Sequence, residues 1–209
     1  SLVATFSLLR AMRERKIGKI FYTSGSGVYG DRGTSYSPES YGPLMPVSMY
    51  GATKLGAEGL VSAFCHLFDM QAFVLRPANI IGPNATHGVV FDFVRRLKAE
   101  PTKLRILGDG LQSKAYLHVD DVIDAMMIVL KKAKERFNVF NLSSNSYITV
   151  NAIAEIVLRE MKLKNVAVTR TGGKIGWKGD VAIVRLNNGK LAKLGWRAKY
   201  NSAQAVRAT

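Results

Sequence analysis

Cysteine is almost missing from this chain. A single residue, Cys65, excludes an intramolecular disulfide and points to a reducing compartment, the cytoplasm. Long apolar runs are missing too: none reaches the ~18 residues of a membrane span, and the opening residues lack the basic, apolar and small-residue order of a secretory signal. The expectation is therefore no membrane partner, and the glycosylation-type triplets at Asn84 and Asn141 read as chance matches. Acidic residues are scarce, 15 against 30 Lys and Arg, a formal charge of +15. Such an excess suits nucleic acid, an anionic membrane or a phosphorylated small substrate. Here the cations are scattered over helix ends and polar faces, as in Arg13, Arg15, Lys16 and Lys19. No zinc-ligand spacing occurs, and aromatic residues do not interleave with basic ones. Neither a metal site nor nucleic-acid binding is expected.

What is present is the make-up of a folded globular protein, 47% hydrophobic and 22% charged over 209 residues. Leu2, Phe6 and Leu9 repeat at helical spacing, Ile17 to Thr23 reads as a strand, and Ser24 to Gly30 as a glycine-rich turn. After a loop from Asp31 to Met49, a long helix is expected over Tyr50 to Phe68, with Leu60, Phe64 and Leu67 on its apolar face. A buried strand follows over Ala72 to Ile81. Apolar strands separated by helices are the pattern of a parallel sheet covered on both faces. Beyond Gly82 the spacing predicts a helix at Val89 to Lys98, a strand at Leu104 to Leu107, and a helix capped by Asp120 or Asp121 with Val122, Met126 and Val129 inward. A strand at Phe137 to Leu142, a helix capped by Thr149 and a strand containing Val166 and Val168 come next. Gly195 then stops a helix over Lys190 to Leu194, with Trp196 packing back on its last turn.

Two constellations could carry chemistry. Gly25-x-Gly27-x-x-Gly30 follows a strand, as a dinucleotide fingerprint does, but Asp31-Arg32-Gly33-Thr34 and the prolines beyond cannot start the helix whose amides meet a pyrophosphate. The run suits close approach of a substrate at the C-terminal end of a parallel strand instead. Tyr50 and Lys54 lie four apart on one helix face. Alone, the pair also describes an ordinary solvated face. Together, an ammonium near a phenol favours the phenolate and lowers its pKa, so that a proton can pass between Tyr50 and a substrate hydroxyl.

In order and spacing, Thr23-Ser24-Gly25-Ser26-Gly27-Val28-Tyr29-Gly30, Tyr50-Gly51-Ala52-Thr53-Lys54 and Leu75-Arg76-Pro77-Ala78-Asn79-Ile80-Ile81-Gly82-Pro83 resemble landmarks of the NAD-dependent epimerase/dehydratase family. Within that family the resemblance is to the UDP-glucose (UDP-galactose) 4-epimerases. Leu107-Gly108-Asp109-Gly110 with Gln112, Lys114, Tyr116 and Val119-Asp120-Asp121 resembles the substrate-domain motif. Gly176-Trp177-Lys178-Gly179-Asp180 and Leu194-Gly195-Trp196 resemble the C-terminal end of archaeal-type members. The resemblance implies an α/β fold, a Rossmann-like doubly wound parallel sheet lacking its first strands, with a smaller α/β substrate-binding domain. Residues 1–82, with a return helix and strand near 120–142, would be the C-terminal part of the NAD-binding domain, and 83–209 mainly the substrate domain.

The resemblance also implies roles. Tyr50 would be the acid/base and Lys54 would hold the nicotinamide ribose, with Thr23 and Pro77 also on the NAD side. Ser26, Asn79 and Lys114 would contact the nucleotide sugar. The reaction would be epimerisation at C4 through a transient 4-keto sugar, with NAD regenerated and a homodimer as the working form. Three departures stand against the family pattern. Gly25 occupies the usual Ser/Thr position, so Ser24 or Ser26 must supply that hydroxyl. Lys114 stands where many members have arginine, a point charge in place of a bidentate fork. The pyrophosphate turn and the acid for the adenosine ribose are not in this sequence. The alternatives are a non-catalytic chain that binds a nucleotide sugar or oligomerises, or another family chemistry: dehydratase, decarboxylase or reductase. A dehydratase needs an acid and a base at the turn before Val28, where Ser24-Gly25-Ser26-Gly27 has no carboxylate.

Overall fold

The computed structural model describes residues 2–209. Helix α1 (Leu2–Glu14) turns Leu9 and Met12 inward and leads to β1 (Lys19–Thr23). The glycine-rich turn after β1 contains only one short 3-10 helix, Ser26–Tyr29. Helix α2 (Met49–Leu67) starts where Ser48 Oγ accepts the Gly51 N–H at 3.1 Å. Its buried face runs through Ala57, Glu58, Val61, Phe64 and Cys65, whereas Leu67 is exposed. Of the expected apolar row, Phe64 is buried and Leu60 packs against the same core, and only Leu67, on the last turn, is left exposed.

Strands β2 (Gln71–Pro77) and β3 (Asn79–Ile81) divide at Ala78 the single strand expected there. The break has a pairing cause. β2 lies between β1 and a later strand, β7 (Phe137–Leu142), whereas β3 leaves to pair with β6 (Tyr116–His118). The chain continues through α3 (Val89–Ala99), β4 (Lys103–Ile106), β5 (Ser113–Lys114), β6 (Tyr116–His118) and α4 (Val119–Lys132). It then forms β7 (Phe137–Leu142), β8 (Ile148–Thr149), α5 (Val150–Glu160), β9 (Ala167–Arg170), α6 (Gly189–Lys193) and α7 (Ser202–Arg207). Val166 lies just before β9 and not in it. Thr149 caps α5 as expected, taking the Ala152 N–H at 3.2 Å. The cap of α4 is neither Asp120 nor Asp121. The helix begins at Val119, at least two residues earlier, so His118 is the cap and its Nδ1 takes the Asp120 N–H, while the buried Asp121 carboxylate accepts from Lys199 N and Tyr200 N.

β1, β2 and β7 form a parallel sheet in the order β1-β2-β7, with Thr23 opposite Leu75 and Pro77 opposite Leu142. Alternate residues face opposite layers. Ile20, Ala72 and Val74 pack with Leu9, Met12, Val61 and Phe64 of α1 and α2. Phe73, Leu75, Phe140 and Leu142 pack with Val122, Ala125 and Val129 of α4, together with Leu191 and Trp196. Helices on both faces of parallel strands make this a Rossmann-like α/β fold. A separate apolar centre joins Phe93 and Leu97 of α3, Leu104 and Ile106 of β4, Ile153 and Val157 of α5, and Ala205 and Val206 of α7. Gly195 (φ 93°) ends α6, and Trp196 is buried with its indole N–H on Asp121 O at 3.0 Å. Among the described residues, no helix is long and apolar enough to cross a membrane.

A buried polar chain ties the layers together. Arg76 of β2 donates from Nε and Nη2 to the Glu58 carboxylate of α2 at 3.0 and 2.6 Å, and from Nη1 to Tyr29 Oη at 2.9 Å. Tyr29 Oη donates to Asn141 Oδ1 of β7 at 2.8 Å. Asn141 Nδ2 reaches the Ser37 and Asn187 carbonyls, and Asn141 N–H reaches Glu39. Removing one partner strands a charge out of water. Glu58→Ala is therefore expected to lower the unfolding free energy by about 3–5 kcal/mol in urea titrations; a loss below about 1 kcal/mol, the range of an exposed pair, would contradict this.

Candidate functional site

The C-terminal ends of β1 and β2 open into one cavity of about 790 Å³, where open parallel sheets bind their ligands. Thr23, Ser24, Ser26, Tyr50, Pro77, Asn79 and Lys114 all line it. Lys54, the other residue singled out in the sequence, does not. Its Nζ donates to Thr23 O at 2.6 Å and lies 5.6 Å from the Tyr50 ring centroid.

The turn between β1 and the 3-10 helix brings its backbone against α2. A Cβ on Gly51 would lie 2.5 Å from Gly27 O and 3.0 Å from Pro46 Cβ, so only glycine lets α2 approach this closely. Gly25 is different. Its backbone is extended (φ 178°), and a Cβ there would lie 3.6 Å from Tyr50 Oη, an ordinary contact. A Cβ is therefore accommodated at Gly25, directly beside the phenol. Ser24 is 1% exposed and its Oγ has no hydrogen-bond partner, an unusual state for a buried hydroxyl and one that a polar group of a ligand would relieve. Ser26 is half-buried in the 3-10 turn.

The expected depression of the Tyr50 pKa does not hold in this state. Burial pushes the phenol above its ordinary value although 59% of the residue surface is open, and burial pulls the Lys54 ammonium down. The ammonium is held by the Thr23 carbonyl and does not reach the phenolic oxygen. Without an opposite charge at contact, desolvation decides the direction.

At the far side of the cavity, Lys114 Nζ and Asp180 Oδ1 form a part-buried ion pair at 2.5 Å. Asp180 Oδ2 also accepts Gly176 N–H at 3.3 Å. Tyr116 lies against this pair. Burial first, then the Asp180 carboxylate, raise its phenol well above the ordinary range, with a hydrogen bond from Asn79 opposing. Sequence reasoning gave no role to Asp180 or Trp177, although their motif was visible, and none to Arg96, whose guanidinium donates to Arg105 O at 2.9 Å at the rim. Arg96 sits on the polar side of α3, and only the tertiary fold brings it to the cavity.

The cluster of Thr23, Ser24, Tyr50, Lys54 and Pro77 fits the nicotinamide-ribose end of NAD, with Ser24 Oγ the unsatisfied atom. It does not fit the pyrophosphate. Among the described residues, the glycine turn leads into a four-residue 3-10 helix, which presents no α-helical N-terminus to a phosphate.

The model of the NAD dependent epimerase/dehydratase family matches residues 1–143. The UDP-glucose 4-epimerase of Mycolicibacterium smegmatis is 31% identical over 206 residues, covering 88% of this chain and 64% of its own length. The dTDP-D-glucose 4,6-dehydratase of Homo sapiens is 25% identical over 213 residues, covering 100% of this chain and 60% of its own. A crystal structure of UDP-galactose 4-epimerase superposes on 100% of this chain and 67% of its own with a TM-score of 0.89, at 32% identity. The chain thus spans about three-fifths to two-thirds of the length of these proteins.

Two measurements check this geometry. Gly51→Ala is expected to destabilise by about 1–3 kcal/mol through overpacking, while Gly25→Ala changes stability by less than about 0.5 kcal/mol; equal thermal-melt shifts would contradict the spacing. In ligand-free protein, the ultraviolet alkaline titration of wild type minus Tyr50→Phe should show one phenol ionising above pH ~10, the ordinary value. Ionisation below it would mean that Lys54 already governs Tyr50.

Proposed function

The chain belongs to the NAD dependent epimerase/dehydratase family, and from that premise we propose that it serves epimerisation at C4 of a nucleotide sugar of the UDP-glucose/UDP-galactose kind, with Tyr50 as the acid/base. The observation that carries the choice is the turn facing Tyr50. It offers the hydroxyls of Ser24 and Ser26 and the bare backbone of Gly25, but no carboxylate. Eliminating water from the sugar needs an acid and a base there; epimerisation needs only a proton carrier at the 4-hydroxyl.

Thr23, Tyr50, Lys54 and Pro77 would hold NAD, which when bound accepts the C4 hydride and returns it. Tyr50 Oη takes the proton of the 4-hydroxyl as the 4-keto sugar forms, and gives it back as the sugar is reduced on its other face. Lys54 moves from the Thr23 carbonyl towards the ribose and the phenol, bringing the positive charge that the ligand-free site lacks and favouring the phenolate. Ser24 Oγ or Ser26 Oγ supplies the hydroxyl next to the reacting oxygen. Asn79 and Lys114 take the diphosphate, an amide donor and a cation suited to an anion. Asp180 must share or release Lys114 when that happens, so the diphosphate is gripped less firmly than by an unpaired arginine.

The single, buried Cys65 supports a reducing, cytoplasmic setting. Leu2, Val3, Phe6 and Leu8 remain exposed on α1 beside α2, which supports a homodimer through this helix pair.

The test is interconversion of UDP-galactose and UDP-glucose by the protein supplied with NAD. Tyr50→Phe should lower kcat by about 10²–10⁴-fold while changing the Kd for UDP by less than about threefold. Turnover unaffected by Tyr50→Phe, or no turnover in wild type, would contradict the proposal.

A further inference from the structure

Trp177 is the large aromatic that neither the core nor the proposed proton path uses. Of the two tryptophans, Trp196 is buried and hydrogen-bonded, whereas Trp177 is 56% exposed. It sits in a segment punctuated by Gly172, Gly173, Gly176 and Gly179, three of them at positive φ. Such a segment has little apolar packing of its own, so an indole there covers surface only if something lies against it.

Its surroundings say which end of the cavity that is. Trp177 lines the 790 Å³ cavity and also a shallower one of about 310 Å³, bounded by Val47, Ser48, Met49, Lys178 and Gly179. Tyr50 is the other residue shared by both. A Cβ on Gly179 would lie 3.2 Å from Trp177 Cζ3 and 3.3 Å from Ser48 Cβ, so Gly179 brings the indole and the N-cap of α2 to its two sides. The turn is closed by Asp180 N–H on Trp177 O at 3.0 Å, and the same Asp180 holds Lys114. One short turn thus links the cation of the diphosphate end to an aromatic face beside Tyr50.

We propose that Trp177 is the aromatic wall of the sugar subsite, stacking on the C–H face of the hexose ring while Tyr50 meets its 4-hydroxyl. This rests on the nucleotide-sugar reading above. A pyranose presents a face of polarised C–H groups, and an indole answers it with a broad electron-rich surface and few rotamers to freeze. Because a 4-epimerase must release and re-bind the two faces of its keto sugar, a flat non-directional contact holds the ring without fixing it by hydrogen bonds. Trp177 is a specificity residue for the sugar and contributes little to the nucleotide.

Calorimetric Kd values for UDP and UDP-glucose test this in wild type, Trp177→Ala and Trp177→Phe. Trp177→Ala should weaken UDP-glucose about tenfold and UDP less than about twofold, and Trp177→Phe, which keeps an aromatic face, should stay within about threefold of wild type for both. Retained UDP binding also shows that the variants are folded. Equal weakening of both ligands would assign Trp177 to the nucleotide, and no change in either would remove it from the site; each overturns the proposal and leaves the epimerase reading standing. Wild type that binds neither UDP nor UDP-glucose would contradict that reading itself, and the present proposal with it.

Discussion

The bidentate pair between Arg76 and Glu58 is the contact on which the site geometry hangs. Both side chains are almost wholly buried, so neither charge can be left unpaired without a cost far above that of a surface ion pair. Through Tyr29 and Asn141 the same guanidinium reaches the turn after β1 and the strand beyond β2. Helix α2 is therefore held to β2 by charge, and the Ser26–Tyr29 turn is held to both. Gly51 then allows that turn to lie against the first turn of α2. Tyr50 faces Gly25 and Gly27 because these restraints act together, and a shift in any of them moves the phenol relative to the cavity.

The cavity has two electrostatic regimes. At the Tyr50 end there is no carboxylate in the facing turn, a phenol whose proton is retained by burial, and an ammonium satisfied by a carbonyl. At the other end a cation is already neutralised by Asp180. Under the proposed function both ends are in a resting arrangement that an anionic, hydroxyl-bearing ligand would rearrange: a diphosphate would compete with Asp180 for Lys114, and a bound ribose would compete with the Thr23 carbonyl for Lys54. The scattered surface cations, by contrast, make local contacts, as Arg13 does over the Phe68 ring and Arg136 with Asp69, and add a general field.

Elements with strong periodicity were legible in the sequence. β7 spans the expected Phe137–Leu142, and α2 begins and ends one residue before its expected bounds. The motif residues Ser24, Ser26, Tyr50, Pro77, Asn79 and Lys114 meet in one cavity. What could not be read was set by partners distant in the chain. Ala78 ends β2 because Asn79–Ile81 pairs with Tyr116–His118, yet the apolar run through that point is continuous. The Lys114–Asp180 pair joins residues 66 positions apart. The Tyr50 pKa direction was misjudged because helical spacing puts Lys54 on the same face without saying which acceptor its ammonium finds first.

The account turns on C4 chemistry carried by a proton at Tyr50 and a hydride that never reaches solvent. The most direct measurement is mass spectrometry of the product formed from UDP-glucose deuterated at C4. The account predicts a product of unchanged mass, with the galactose configuration and the deuterium still at C4. A product lighter by one water would make the protein a dehydratase, and loss of the deuterium to solvent would show that the C4 bond is cleaved by deprotonation and not by hydride transfer; either result contradicts the account.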